Sequence, residues 1–309
     1  MIRLDEIEVE RRLRAIDLPA LMRTALIAIA RGEAQSPPRA AFSAPDGIWF
    51  GAMPARCGGA CEALGAKLVV AIPNNRERNL PTHRAIVVLF DPVTGEPVAW
   101  IEAEALTRAR TAAVSVVATQ ALAARPRGTH AIVGCGAQGG GHLEAFARAG
   151  MAERFVVWSR DRRRAEAAAR EAEAHGISVR IAGDPDDAVH GADVVTTCTG
   201  AAEPLFEGSS LDPGAHVNAI GACVAHKREL PGALVGACRL VIDDLAAARA
   251  EAGDIVLAVA EGNASWESVV TLGDVLGEPA GAHDGRVTVF DSLGMGVEDV
   301  VVAAAIASR

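Results

Sequence analysis

The sequence predicts an α/β protein: a doubly wound parallel sheet joined to an α+β domain. Three observations carry this. A glycine cluster separates an apolar run from a helix-period pattern, short apolar runs alternate with helical stretches after it, and longer strand-like runs precede it. At residues 130–149, Ala131 to Val133 read as a buried strand. Gly134, Gly136 and Gly139 supply G-x-G-x-x-G, and Leu143, Phe146 and Ala147 recur at helical spacing. Glycines there allow a tight turn, close approach of backbone to a pyrophosphate and tight helix-on-strand packing, with the phosphates at the positive end of the helix. The strand before and the helix after give the motif the context it needs. Residues 116–292 are therefore expected to form a Rossmann-type dinucleotide-binding domain, the alternative being a glycine-rich turn that only packs.

From the beginning of the chain, Leu13, Ile16, Leu18, Leu21, Leu26, Ile27 and Ile29 predict helix over much of residues 2–31, with Pro19 starting a second helix. Pro37-Pro38 ends it and leaves Arg39 at the edge of an extended segment. Strand-like runs follow at 47–51, 66–72, 85–90 and 97–102, the last two joined by a Pro- and Gly-bearing hairpin loop at 91–97. Lys67 interrupts one of these apolar runs; a lysine in such a place has a carboxylate partner or a chemical task. A small-residue helix runs from 106 to about 123 with Thr107 as its N-cap. On it Arg108 and Arg110, two apart, point to different faces. After the glycine loop come a second strand at 155–158 and a helix at 161–175. Strands follow at 179–181, 194–198, 217–220, 240–242 and 288–291, and an apolar final helix at 297–308. Strands alternating with helices imply parallel pairing, and ligands bind at the carboxyl ends of such strands, here Thr199 and Gly221.

Two domains suit the 309-residue length: 1–115 with 293–309, and 116–292. The formal charge of -9 argues against a nucleic-acid partner. No apolar run approaches the roughly 18 residues of a membrane span, and the first ten residues are charged rather than signal-like. A soluble, cytoplasmic protein is expected. The six cysteines lack zinc-finger spacing and disulfide-scaffold density, and are expected as reduced thiols with no metal. Cys57 and Cys61, read as half of a metal or redox site, have no second ligand pair in their own segment.

The dinucleotide follows from the end of the second strand, about 20 residues past the glycines, where an acidic residue takes the ribose hydroxyls of NAD. Here stand Trp158, Ser159 and Arg160. Arg160 can hold a 2'-phosphate and Ser159 can donate to it, which favours NADP; Asp161 keeps NAD as the alternative.

With these pieces placed, the chain resembles the ornithine cyclodeaminase/mu-crystallin family over almost its whole length. The matching motifs are Pro37-Pro38-Arg39, Gly65-Ala66-Lys67, Pro73-x-Asn75, Leu106-Thr107-x-x-Arg110-Thr111-Ala112 and Gly134-x-Gly136-Ala137-Gln138-Gly139. They continue with Val217-Asn218-Ala219-Ile220-Gly221-Ala222 and Phe290-Asp291-Ser292-x-Gly294 with Glu298-Asp299. The resemblance implies a Rossmann domain inserted into a substrate and dimerisation domain, and a homodimer. It implies that Arg39 and Arg110 bind a substrate carboxylate while Lys67 touches the reacting C=N or carbonyl-level centre as the catalytic residue. It places Thr111, Gly134, Gly136, Ala137, Gln138, Gly139, Ser159, Arg160, Thr199 and Gly221 at the cofactor, with Ser292 and Gly294 at its nicotinamide end. Family members that cyclise ornithine carry an aspartate after the Gly-Ala pair of the sixth motif, where this chain has Cys223. A neutral thiol neither pairs with an ammonium as a carboxylate does nor serves as the same base. The expected activity is therefore NAD(P)-dependent reduction of the C=N bond of small α-imino acids such as pyrroline-2-carboxylate or piperideine-2-carboxylate, with Cys223 beside the substrate. Ornithine cyclodeamination, alanine-dehydrogenase-like oxidation and a non-catalytic NADP-bearing binder are the alternatives.

Overall fold

The apolar runs on either side of the glycine loop differ in kind, and they form two different sheets. The computed structural model describes residues 1–78, 80–174, 176–278 and 284–308. Of the sequence readings, His175, at the end of the 161–175 helix, and Arg309 lie outside the described residues. The chain divides into two compact units, Met1–Arg110 with Gly294–Arg309, and Thr111–Leu293.

In the first unit, strands Trp49–Cys57, Ala63–Ala71, His83–Phe90 and Pro97–Glu102 pair antiparallel in succession. Along them burial alternates: Met53, Lys67, Val87 and Ile101 are buried, while Ala52, Leu68, Ile86 and Trp100 lie half-exposed on the other face. The final helix, Gly296–Ala307, packs on three of these strands and on helix Leu18–Ala30, so the buried alternates are the ones beneath it. The first residues depart from the expected helix. Ile2–Leu4 is a strand, parallel to Pro97–Glu102, and helix begins at Glu6 with the Asp5 side chain accepting from Glu8 N–H. Three residues are enough to extend the sheet, and the Asp5 cap starts the helix immediately after them.

Thr107 is not the N-cap of its helix, which spans Glu104–Leu122 and begins earlier. The cap comes from 98 residues away: the Glu6 carboxylate accepts from Glu104 N–H at 2.8 Å and Ala105 N–H at 2.9 Å. Glu6 N–H in turn donates to Glu102 Oε2 at 3.0 Å. A carboxylate at a helix start satisfies orphan donors and meets the positive dipole end, so it outcompetes a local threonine. The expectation of six reduced thiols also fails. Cys57 and Cys61 are joined by a disulfide, because the short turn Gly59–Cys61 brings their Cα atoms to 5.8 Å, within bridging range. Cys135, Cys198, Cys223 and Cys238 remain thiols.

The second unit is built on a sheet of eight strands, every pairing parallel. Its order is Ser178–Ile181, Ala152–Trp158, Gly128–Val133, Val194–Thr197, His216–Ala219, Thr288–Asp291, Arg239–Ile242 and Val270–Thr271. From Gly128–Val133 the chain winds outward in one direction, then returns to continue in the other from Val194–Thr197. The crevice between those two strands is the switch point at which doubly wound sheets bind ligands. The helices that follow the strands are amphipathic or short. Arg162–Ala174, for example, buries only alanines (Ala165, Ala168, Ala169 and Ala172) and leaves its arginines and glutamates outward. Among the described residues, no helix is long and apolar enough to cross a membrane.

Candidate active site

In the first unit the site grows from a sheet position and two helices. Lys67 lies mid-strand on the covered face, 4% exposed, and its ammonium meets Asp299 Oδ2 at 2.8 Å. Asp299 and Glu298 sit in the first turn of the final helix, each wholly buried. Arg110, on the helix Glu104–Leu122, joins the same carboxylates: Nε donates to Asp299 Oδ1 at 3.0 Å and Nη1 to Glu298 Oε2 at 2.6 Å. Burial pulls the Lys67 pKa down to about 8 from 10.5. Asp299 resists that shift, and the charges of Arg110 and Arg39 add to it. Arg39, half-buried before strand Ala40–Ser43, thus belongs electrostatically to the cluster. Three cationic side chains, Lys67, Arg110 and Arg39, act on one another here, with Asp299 and Glu298 among the carboxylates that face them. Arg108 faces away, 3.0 Å from Glu10 at the surface. Gly294 backs the Arg110 guanidinium: it holds φ 76°, and a Cβ there would strike Arg110 Nη1.

In the second unit the glycine loop leaves Gly128–Val133 at the switch point. Gly134, at φ 108°, packs against Cys198 O, and Gly139 lies on Gly134 O, so a Cβ at either position would collide with backbone. At Gly136, by contrast, a Cβ would meet nothing within 4 Å. The loop is thus closed toward the sheet and open outward, above the first turn of helix Ala137–Arg148. Gln138 Oε1 is buried there and accepts no hydrogen bond. His142 fixes that turn, bonding Gln138 O through Nδ1 at 2.7 Å and Ser115 Oγ through Nε2 at 2.9 Å. Ser115 lies one turn after Thr111, which is buried. Ser159 and Arg160 follow the end of strand Ala152–Trp158, half-buried and exposed respectively.

Thr199 and Gly221 follow neighbouring strands and share one carboxylate, that of Glu229. Cys223 is half-buried, its thiol donating to Ile220 O at 3.3 Å. Ser292 is buried, with Oγ donating to Asp243 Oδ2 at 3.3 Å. The sequence reading missed Glu229 and gave no role to Asp299 or Glu298. The only local signal for the last two was a pair of acids opening an otherwise apolar helix. Among the described residues no group of three His, Cys, Asp or Glu could hold a metal.

The family model for the ornithine cyclodeaminase/mu-crystallin family matches residues 1–309. The chain belongs to that family. It is 38% identical over 257 residues to the ketimine reductase mu-crystallin of Mus musculus, covering 82% of this chain and 78% of that protein. The Thermococcus litoralis Δ(1)-pyrroline-2-carboxylate reductase, solved with NADH and L-proline, superposes with a TM-score of 0.93 at 27% identity, covering 100% of this chain and 97% of that one. An archaeal alanine dehydrogenase dimer with bound NAD gives 0.92 at 30% identity, covering 100% and 95%.

Proposed function

We propose that the protein is an NAD(P)-dependent oxidoreductase that reduces the C=N bond of small α-imino acids, a ketimine reductase acting on cyclic imines such as pyrroline-2-carboxylate and piperideine-2-carboxylate. The observation that carries this reading is the buried cluster of Lys67, Arg110 and Asp299 in a chain that also bears a dinucleotide loop. The gathered guanidinium and ammonium groups suit a substrate carboxylate, and a lysine drawn down to about 8 can exchange a proton near neutrality.

The second unit fits a dinucleotide. Gly136 leaves its outer side open, the helix start offers backbone N–H groups, and the orphaned Gln138 Oε1 awaits a donor. Gly134, Gly136, Ala137, Gln138 and Gly139 would hold the pyrophosphate, with Thr111, Thr199, Gly221, Ser292 and Gly294 toward the nicotinamide. Ser159 and Arg160 would take a 2'-phosphate, which favours NADP over NAD. When bound, the reduced nicotinamide supplies the hydride. Arg39 and Arg110 orient the carboxylate. Lys67 gives a proton to the imine nitrogen, so that C=N becomes CH–NH, and Asp299 holds the ammonium in place. Residues 1–115 with 293–309 act as the substrate and dimerisation domain and 116–292 as the cofactor domain. Cys223 is assigned to the substrate through the resemblance; as a thiol it disfavours ornithine cyclodeamination.

A homodimer accounts for the half-exposed apolar face of the first unit's sheet, where Phe42, Phe50, Leu68, Ile86, Val88 and Trp100 share one side by register. Sedimentation at micromolar concentration tests it. We place the protein in the cytoplasm, which fractionation tests. The activity is tested by following NADPH and NADH oxidation over ketimines and over 2-oxo acids with ammonia or methylamine. Turnover of a cyclic α-imino acid is expected. Tight NADPH binding with no turnover of any α-imino acid would favour a cofactor-bearing binder instead.

A further inference from the structure

The parallel ladder between Val194–Thr197 and His216–Ala219 ends where Ile220 N–H donates to Thr197 O at 2.9 Å. Beyond that rung the two chain segments turn into loops, and the next backbone donors, Thr199 N–H and Gly221 N–H, have no ladder partner. One side chain takes both. Glu229 Oε1 accepts from Thr199 N–H at 2.6 Å, and Glu229 Oε2 accepts from Gly221 N–H at 2.8 Å. The fit is tight, because a Cβ at Gly221 would collide with Thr199 O and would lie 2.6 Å from Glu229 Cδ.

Glu229 is itself held from behind. It is wholly buried, and its own N–H, together with that of Leu230, donates to Asp254 Oδ1 at 2.8 and 2.7 Å. Glu229 O accepts from Leu205 N–H at 2.8 Å. Asp254 stands in the first turn of helix Gly253–Ala260, and Gly253 is packed against Lys227 O and Val224 O so closely that no side chain fits. A rigid line therefore runs from that helix through Asp254 and Glu229 to the crests of two neighbouring strands. Burial raises the Glu229 pKa while its bonds to Thr199 and Gly221 oppose that rise, as expected for a carboxyl held for its two acceptor oxygens.

We propose that Glu229 is a positioning residue for the reaction: its carboxylate clamps the Thr199 and Gly221 backbones into the one arrangement in which the nicotinamide half of the cofactor can lie over these strand ends. The proposal rests on the dinucleotide reading above. A carboxylate is needed because it is acceptor-only at both oxygens, whereas an amide must point a donor at one of the two N–H groups. The clamp acts first on the nicotinamide half, since Arg160 and the open outer side of the glycine loop sit on other strand ends, although Gly134 itself packs on Cys198 O, one residue before Thr199.

The test is Glu229→Gln, compared with wild type for binding of the full dinucleotide, binding of the adenylate half alone (ADP or its 2'-phosphorylated form) and turnover of the cyclic imine. The clamp predicts at least tenfold weaker dinucleotide binding or an equal loss of kcat, with adenylate-half affinity unchanged. Gly221→Ala, which pushes a methyl into the same contact, should give the same split. Equal loss of adenylate-half and full-dinucleotide binding would mean that Glu229 merely holds the unit together and would overturn the proposal, as would wild-type kcat and affinity in Glu229→Gln. If wild type binds no dinucleotide at all, it is the functional reading that fails.

Discussion

Both units bury ionisable side chains, and they deal with them in opposite ways. In the first unit the buried groups are cross-paired, with Lys67 and Arg110 set against Asp299 and Glu298. In the second, burial pushes them toward their neutral forms, opposed at Glu229 by the N–H groups its carboxylate accepts. Burial lowers the pKa of His142 and His216 to about 4 and that of His130 well below its usual value, and raises those of Glu229, Asp254 and Asp291. The neutral histidines keep short bonds to hydroxyls, His130 to Thr196 and His216 to Thr288, both at 2.8 Å. Burying a charge is costly, so most interiors choose neutrality. Where a unit retains full charges in its interior at that cost, the charges mark its chemistry.

The sharpest way to break this contrast is Lys67→Ala. Turnover should fall by about 10²–10⁴, the usual worth of a positioned proton donor, while dinucleotide affinity stays unchanged. Near-wild-type kcat on the true substrate would remove Lys67 from the mechanism. With Lys67 intact, imine reduction should slow as pH rises through about 8, because the ammonium that donates the proton is then lost. The reverse oxidation should gain over the same range, and pH profiles in both directions check this.

Asp299→Asn tests the pairing itself. It removes the carboxylate that Lys67 and Arg110 share and should cost about 3–5 kcal/mol of stability, read from urea unfolding. A loss below about 1 kcal/mol would mean that the cations are solvated after all. Arg160→Ala should weaken NADP(H) by roughly 10–100-fold, the worth of one charge-assisted contact, and spare NAD(H). Equal affinities before and after would return the preference to NAD.

The smallest effect concerns the neutral histidines. A histidine whose folded pKa lies below its unfolded value binds fewer protons when folded, so stability is full above pH 6.5 and falls as pH drops toward 4. For His142 alone the slope is at most about 1.4 kcal/mol per pH unit. The raised carboxyls have the opposite sign, losing stability as pH rises above their unfolded values. Comparing wild type with His142→Gln at pH 7 and pH 5 isolates the histidine share. An unchanged pH dependence would show that His142 titrates normally.

Local pattern carried far in this chain. The glycine loop, the alternation of strand and helix and the hairpin at 91–97 are all set by residues near one another, and all are where the sequence places them. Lys67 was conspicuous as a charge inside an apolar strand, but its partner was not, because Asp299 arrives on a helix at the far end of the chain. The Arg110 to Asp299 bond spans 189 residues. The Glu6 cap of the Glu104–Leu122 helix escaped for the same reason, and Glu229, flanked by Lys227, Arg228 and Leu230, reads as one more surface charge. Side chains that act across the fold leave little mark on their own neighbourhoods.

The backing of Arg110 by Gly294 bears on how this protein can vary. A methyl at 294 has no room and an unfavourable φ, so every replacement must push the guanidinium off its carboxylates. Position 294 is thus a silent lock on the charge cluster. In a saturation library it should tolerate nothing, although it contributes no functional group of its own, and any suppressor should map to 110, 298 or 299.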